Sequence, residues 1–304
     1  MNSVKVFPTK CAICDTYYNT TVVCPEQLGI EKINADTYSA RRFESKINHF
    51  RFVRCIACGL LRSDPILPAE NIEQLYRDSK FTYEKHVANL TKTYGYYIRK
   101  ASKLLANKKT FLEIGCGNGF ILEEAKKQGF REVWGIEPSD HAIAEASPEI
   151  RAQIKVDICK EGLFTENSFD MITIFQTLDH LTDPSHILSL CYTWLKSGGV
   201  ILIFNHNERS IPARILGEKC PIIDIEHTYL YNKKTITKLL SKNLFQNITA
   251  DTAWNVHTMS YLTSLVPLWP RTFKQILQWF LATSNLGRRS LWLPIGNLVA
   301  IAQK

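Results

Sequence analysis

The 304-residue sequence has no uninterrupted apolar run that approaches a membrane span, and residues 1–10 carry no apolar core of signal-peptide length. These two absences make the cytosol the expected location. Disulfide logic is missing too: nine cysteines, an odd number, in a chain read as unexported point to reduced thiols or metal ligands. Acids run out towards the end. After Asp251 there is no Asp or Glu, while Arg271, Lys274, Arg288, Arg289 and Lys304 are basic. The first 108 residues hold 17 Lys and Arg against 10 Asp and Glu, most of the net charge of +8. Such a bias suits an anionic partner, whether nucleotide, phospholipid or nucleic acid, and does not choose among them. An apolar fraction of 45% and a charged fraction of 22% are those of a globular protein, long enough for one large core and a smaller module beside it.

The sequence around residues 110–120, TFLEIGCGNGF, reads as a buried strand, a tight turn and the start of a helix. Gly115, Gly117 and Gly119 let the backbone bend sharply and approach a ligand closely. A dinucleotide fingerprint would need glycine at Phe120, so that reading fails. Downstream, strands are expected at 132–136, 153–156, 169–175, 200–204, 248–254 and 298–302 with helices between. This alternation describes an α/β fold with a mostly parallel sheet and ligands at the carboxyl ends of its strands. Glu137 ends the second strand about 20 residues after the glycine turn, where a carboxylate can accept both hydroxyls of a ribose.

Upstream, Cys11-Ala-Ile-Cys14 and Cys55-Ile-Ala-Cys58 are two Cys-x-x-Cys pairs. Together they can complete a closed tetrahedral sulfur shell, which predicts a structural Zn²⁺ that clamps a small fold. Residues 38–53 are rich in Arg, Lys and aromatics, read as a solvated face in preference to a nucleic-acid surface. Ile72, Leu75 and Tyr76 recur at helical spacing after Pro68, and a connecting helix at 91–105 carries Tyr94, Tyr96 and Tyr97. The expected division is a zinc-binding module at 1–66, a helical connector at 67–107 and a catalytic domain at 108–304 with an insertion at 255–296.

The run Leu112-Glu113-Ile114-Gly115-Cys116-Gly117-Asn118-Gly119 resembles motif I of the class I S-adenosylmethionine-dependent methyltransferases. The cysteine pairs, with Gly59-Leu60 and a helix ending in Leu75-Tyr76, look like the N-terminal module of sugar C-methyltransferases and of bacterial glycan- and polysaccharide-pathway methyltransferases. The sugar C-methyltransferases carry a further substrate domain beyond the point where this sequence stops. The resemblance implies a Rossmann-like seven-stranded sheet, mostly parallel with an antiparallel last strand, beside a zinc-ribbon-like module. It implies S-adenosyl-L-methionine held by Glu113, Gly115, Cys116, Gly117, Glu137, Pro138, Asp157, Ile158, Gln176 and Thr177. Within that set Asp157 and Ile158 would meet the adenine, and Gln176 the methionine end.

Gln176-Thr177-Leu178-Asp179-His180 through Pro184 resembles the family's loop after the fourth strand, with Asp179 replacing the commoner glutamate. His180 reads as a loop-fixing residue in preference to a base. His206 stands beyond the fifth strand, and Glu226-His227 resembles the family's substrate-side loop. His227, Glu226 and His206 are therefore the expected catalytic residues, with His227 first choice for a base tuned by an adjacent acid. Metal ligation is expected at Cys11, Cys14, Cys55 and Cys58. In the insertion, Phe273, Ile276, Leu277, Phe280 and Leu281 form one apolar helical face near Trp269, Trp279 and Trp292. It reads as a lid, with an anionic membrane surface as the alternative. The expected reaction is methyl transfer to a small polar, sugar-containing or anionic acceptor, most simply a sugar hydroxyl. The alternatives are a lipid-linked acceptor at a membrane and a zinc-ribbon nucleic-acid or RNA-modifying role, which the lack of a base-stacking motif disfavours.

Overall fold

The computed structural model describes residues 5–28, 33–38, 47–78, 87–259, 279–281, 284, 287 and 289–304. Much of the expected insertion helix, with Trp269, and much of the basic aromatic stretch at 38–53 lie outside them. The chain starts with β1 (Thr20–Cys24), α1 (Ala35–Tyr38), β2 (Phe52–Cys55), β3 (Leu61–Ser63), α2 (Ala69–Arg77) and α3 (Val87–Ala101). The two knuckles sit at the ends of this small antiparallel sheet, and Gly59, at φ 85°, makes the turn from β2 into β3. In α3, Tyr94, Tyr97, Ile98 and Ala101 form the buried stripe that 3.6-residue periodicity predicts.

The large sheet follows as β4 (Thr110–Ile114), α4 (Phe120–Lys127), β5 (Glu132–Glu137), α5 (Asp140–Ala144), α6 (Pro148–Arg151), β6 (Ile154–Val156), β7 (Phe169–Phe175), α7 (Pro184–Trp194) and β8 (Leu195–His206). Next come α8 (Ile211–Leu216), β9 (Tyr229–Leu230), α9 (Lys233–Lys242), β10 (Gln246–Thr252), β11 (Asn255–Thr258), β12 (Ser290–Leu293) and β13 (Asn297–Gln303). The seven-stranded order is β10-β13-β8-β7-β4-β5-β6, with β13 antiparallel to both neighbours and β4 to β8 mutually parallel. All seven residues of β7 are buried, as expected where helices cover both faces. From β4 the chain steps outward to β5 and β6, then returns to β7 on the other flank of β4. That reversal opens a crevice at the carboxyl ends of β4 and β7, the usual ligand position in such sheets.

Three findings depart from expectation. β8 begins at Leu195, before the Ser197–Gly199 turn, because Leu195 pairs with Phe169 of β7 while Gly198 N–H and Gly199 C=O bond to Lys304 beyond the end of β13. The described ends of the 255–296 insertion form a two-stranded antiparallel ribbon, β11 with β12, where the sequence reading placed a lid without strands. Finally, β9 joins the N-terminal sheet, pairing Leu61 with Leu230 and Arg62 with Tyr229. Packing therefore runs across the expected boundary at residue 66: Cys11, Cys55, Cys58 and Leu60 share one buried cluster with Leu178, Tyr229, Tyr231 and Ile236. The tyrosines of α3 pack against the large sheet, Tyr94 stacking on Phe175 at 4.3 Å and Tyr97 accepting the Trp254 N–H at 2.7 Å. Among the described residues no helix is long and apolar enough to cross a membrane.

Candidate active site

The carboxyl ends of the parallel strands open into one cavity of about 1080 Å³, which every sequence-predicted cofactor and catalytic residue lines. Its floor is the turn after β4, where Gly115 has φ 73° and Gly119 has φ 74°. Both are left-handed values that a side chain resists. A Cβ on Gly115 would strike the Thr177 side chain, and one on Gly119 would strike Ile150. Space and backbone sign thus both demand glycine. Cys116 contributes main chain to the cavity; its thiol is buried and its N–H is already donated to Ile136 C=O at 3.1 Å.

Glu137, at the tip of β5, accepts N–H groups from Gly117 and Ser139, each at 2.9 Å. Burial raises its pKa, opposed by those two amides. Glu113 sits behind it, and burial together with Glu137's charge pushes its carboxyl well above the ordinary range. At β6, burial would raise Asp157, but Lys160 at 2.6 Å and the Ile158 N–H at 2.9 Å outweigh it and hold the carboxyl low. Ile158's amide is thereby engaged by its neighbour. After β7, Gln176 takes φ 50° and donates its Nε2 to Asn297 at 3.1 Å, while its buried Oε1 has no hydrogen-bond partner among the described residues.

Across the sheet, the ends of β7, β8 and the segment before β9 bring together Asp179, His180, His206 and His227. Asp179 is fully buried and accepts His206 Nδ1–H at 2.7 Å. His180 Nε2 lies 3.6 Å and His227 Nε2 4.0 Å from its carboxylate. Burial opposes ionisation of Asp179, yet His180, His206 and His227 together hold it well below the carboxylate range. His180 is pushed down by burial, partly offset by Asp179, and shares a 2.8 Å hydrogen bond with Tyr76 Oη. That contact ties the loop to α2, in keeping with the loop-fixing role. His227, the expected base, is buried between the rings of His180 and His206, at 4.7 and 4.8 Å. His206 is more open, with 27% of its side chain exposed. Glu226 lines the same end.

Residues 86–250, over half the chain, match the family model described as a methyltransferase domain. The chain belongs to that family. The chain is 34% identical over 121 residues to a ubiquinone biosynthesis O-methyltransferase of Pseudomonas entomophila, covering 37% of this chain and 51% of the relative. A protein of the same name from Nitrosomonas europaea is 32% identical over 119 residues, covering 36% and 50%. The chain thus spans about half the length of the curated relatives it matches. Its fold is that of S-adenosylmethionine-dependent methyltransferases. A solved one from Archaeoglobus fulgidus matches with TM-score 0.51 at 20% identity, over 73% of this chain and 98% of that one. Another from Leishmania major matches with TM-score 0.50 at 16% identity, over 77% and 82%.

The residues lining the cavity fit S-adenosylmethionine chemically. Gln176 Oε1 is a buried acceptor without a donor among the described residues, and a buried acceptor left unpaired costs about 1–3 kcal/mol, which a ligand ammonium would recover. The four cysteines also suit the metal expected of them. Their Sγ atoms lie within 4.8 Å of one another, with Cys11–Cys58 at 3.5 Å and Cys14–Cys55 at 3.9 Å. A tetrahedral Zn²⁺ with bonds of about 2.3 Å needs sulfurs about 3.8 Å apart. Although burial acts to raise it, Cys55 is brought down to about 7 by the amides of Cys58 and Ala57.

Sequence reasoning passed over Asp179 as a mild replacement and assigned nothing to α8. The carboxylate immediately before His180, with histidines at two later element ends, was the available signal for Asp179. Nothing local marks α8, whose Ile211, Pro212, Ile215 and Leu216 line the mouth of the cavity.

Proposed function

We propose that this protein transfers a methyl group from S-adenosylmethionine to a hydroxyl oxygen of a small acceptor. One observation carries the reading: the glycine turn, Glu137 and Gln176 share a single cavity with the Asp179–histidine cluster. In the sheet order, β5 and β6 bring Glu137 and Asp157 to one flank of β4, while β7 and β8 bring Gln176 and His206 to the other. A donor cradle and an acceptor end are thereby separated within reach of each other. When bound, S-adenosylmethionine supplies a methyl group already activated for transfer. The chain's own work is alignment, exclusion of water by Tyr94, Phe175 and Phe204, and reception of the acceptor's polar groups by Asp179, His206, His227 and Glu226. O-methylation in the curated relatives supports oxygen as the acceptor atom.

A sugar hydroxyl suits the polar end. A second reading, an acceptor with an apolar arm, is favoured by α8: Ile211 and Ile215 are 72% and 76% exposed at the cavity mouth. Their burial by an acceptor chain would contribute on the order of 1.5–3 kcal/mol each. Calorimetry tests the common core of both readings. S-adenosylhomocysteine is expected to bind, and Glu137→Ala to weaken it at least tenfold; no binding by the wild-type chain would sink the proposal.

A further inference from the structure

The acceptor end gathers a carboxylate and two imidazoles whose ligand atoms all lie within 4.8 Å of one another, Asp179, His206 and His227, with the His206 Nδ1–Asp179 Oδ2 hydrogen bond the contact an ion would replace. They come from three different elements. Asp179 follows β7, His206 closes β8 and His227 precedes β9, and the main chain ties the first to the last: Asp179 C=O accepts the N–H groups of Thr228 and Tyr229 at 2.8 and 3.1 Å. We propose that these three side chains form a divalent transition-metal site, separate from the four-cysteine cluster, which holds the acceptor through two neighbouring oxygens. The metal site stands on its own geometry; only the acceptor's part in it rests on the methyltransferase reading.

Distances support an ion. Bonds of about 2.0–2.2 Å to nitrogen and oxygen require ligand atoms about 3.0–3.5 Å apart. The 2.7 Å separation of Asp179 from His206 has to open slightly and the 4.0 Å separation from His227 to close. Both of these adjustments are under 1 Å, and the two imidazoles stand within 4.8 Å of each other. Electrostatics supports it too. Asp179 is a fully buried carboxylate with His180 Nε2 3.6 Å from Oδ1 and no hydrogen bond to Oδ1 among the described residues, and a cation beside it would add to the compensation the imidazoles give.

The donor set selects the ion. Two imidazoles and one carboxylate suit Zn²⁺, Fe²⁺, Co²⁺ or Ni²⁺ better than Mg²⁺ or Ca²⁺, which prefer all-oxygen shells. Four thiolates make a closed site, whereas three protein ligands leave positions open. Here the open side is the cavity, since His206 and His227 both line it. An acceptor carrying two adjacent oxygens, as in a vicinal diol, a catechol or a hydroxyketone, fills two such positions, and the ion acidifies the hydroxyl that is methylated.

The test uses the full chain stripped of metal, given one equivalent of Zn²⁺ for the cysteines, and titrated with Co²⁺ by calorimetry and visible absorption. One further equivalent is expected, with the weak bands of nitrogen and oxygen ligation and without the intense near-ultraviolet absorption of thiolate-bound Co²⁺. His206→Ala should weaken it at least tenfold, and His206→Ala with His227→Ala should abolish it. His206→Ala alone suffices if the double variant does not fold, because that ring is partly open. Failure to take up Co²⁺ beyond the cysteine site, or uptake unchanged by His206→Ala, overturns the proposal. S-adenosylhomocysteine binding on the same samples separates the ideas: binding without Co²⁺ uptake removes the metal site and leaves the methyltransferase reading intact.

Discussion

At the scale of single residues, Gly115 offers the sharpest probe of the cradle. An alanine there would sit at φ 73° and press on Thr177, whereas Gly162 has φ 79° with nothing within 4 Å of an added Cβ. The backbone cost, about 1–2 kcal/mol for a left-handed residue, is common to both. Gly115→Ala is expected to lose more stability than Gly162→Ala in thermal melts, and to lose S-adenosylhomocysteine affinity where Gly162→Ala does not. Equal melting temperatures would mean that contact with Thr177 plays no part. The residues of this turn were legible in the sequence because strand, turn and helix are consecutive and the spacing to Glu137 is set by one helix and one strand. Asp179 was not, since its meaning arises only when β7, β8 and the segment before β9 end beside each other. His227 shows the same limit: its neighbours named it, but its depth between two other imidazoles depends on the whole sheet.

Among elements, β7 is pinned at the end remote from the cavity. Asp170 accepts the N–H groups of Lys109 and Thr110 at 3.0 and 2.7 Å and pairs with Lys196 Nζ at 2.9 Å, joining β4, β7 and β8. Burial would raise its carboxyl, but Lys196 and Thr110 more than offset this and hold it below the ordinary 3.8. A depressed folded-state value means stability that is fully present above 3.8 and lost as pH falls through the lower, folded-state value. Asp170→Asn is expected to cost about 1–3 kcal/mol near neutrality. The gap from wild type should shrink below about pH 4, where the unfolded chain's carboxyl takes up its proton before the native one does. Denaturant unfolding at pH 7 and pH 3 checks this; a gap independent of pH would assign the cost to packing. Strands of the sheet were readable from apolar runs bounded by turns. The ribbon of β11 and β12 was not, because its partners are separated by the insertion and its exposed residues, Leu291 and Trp292, carry no core-facing pattern.

For the whole molecule, the N-terminal sheet and the Asp179–histidine cluster are one piece of architecture. β9 begins two residues after His227 and pairs with β3, which follows the second cysteine knuckle. Arg54, beside Cys55, reaches Glu208 through two hydrogen bonds of 3.1 and 3.0 Å, two residues beyond His206. Chelating the metal expected at the four cysteines should therefore speed amide exchange at Leu61, Tyr229 and Leu230 together, while leaving β4 and β5 protected. Mass-spectrometric exchange on the full chain measures it; a change confined to the knuckles would show that the two regions are uncoupled. Composition and cysteine spacing made both parts visible in the sequence. Their union was hidden, because it rests on a two-residue strand too short to have a pattern.

That short strand also sets an order of events. Leu61 cannot find Leu230 until the intervening chain exists, and at about 5–20 residues per second synthesis puts roughly ten to thirty seconds between them. The edge of β3 that receives β9 stays unsatisfied for that interval, so a sheet made early in synthesis is among the last to be finished.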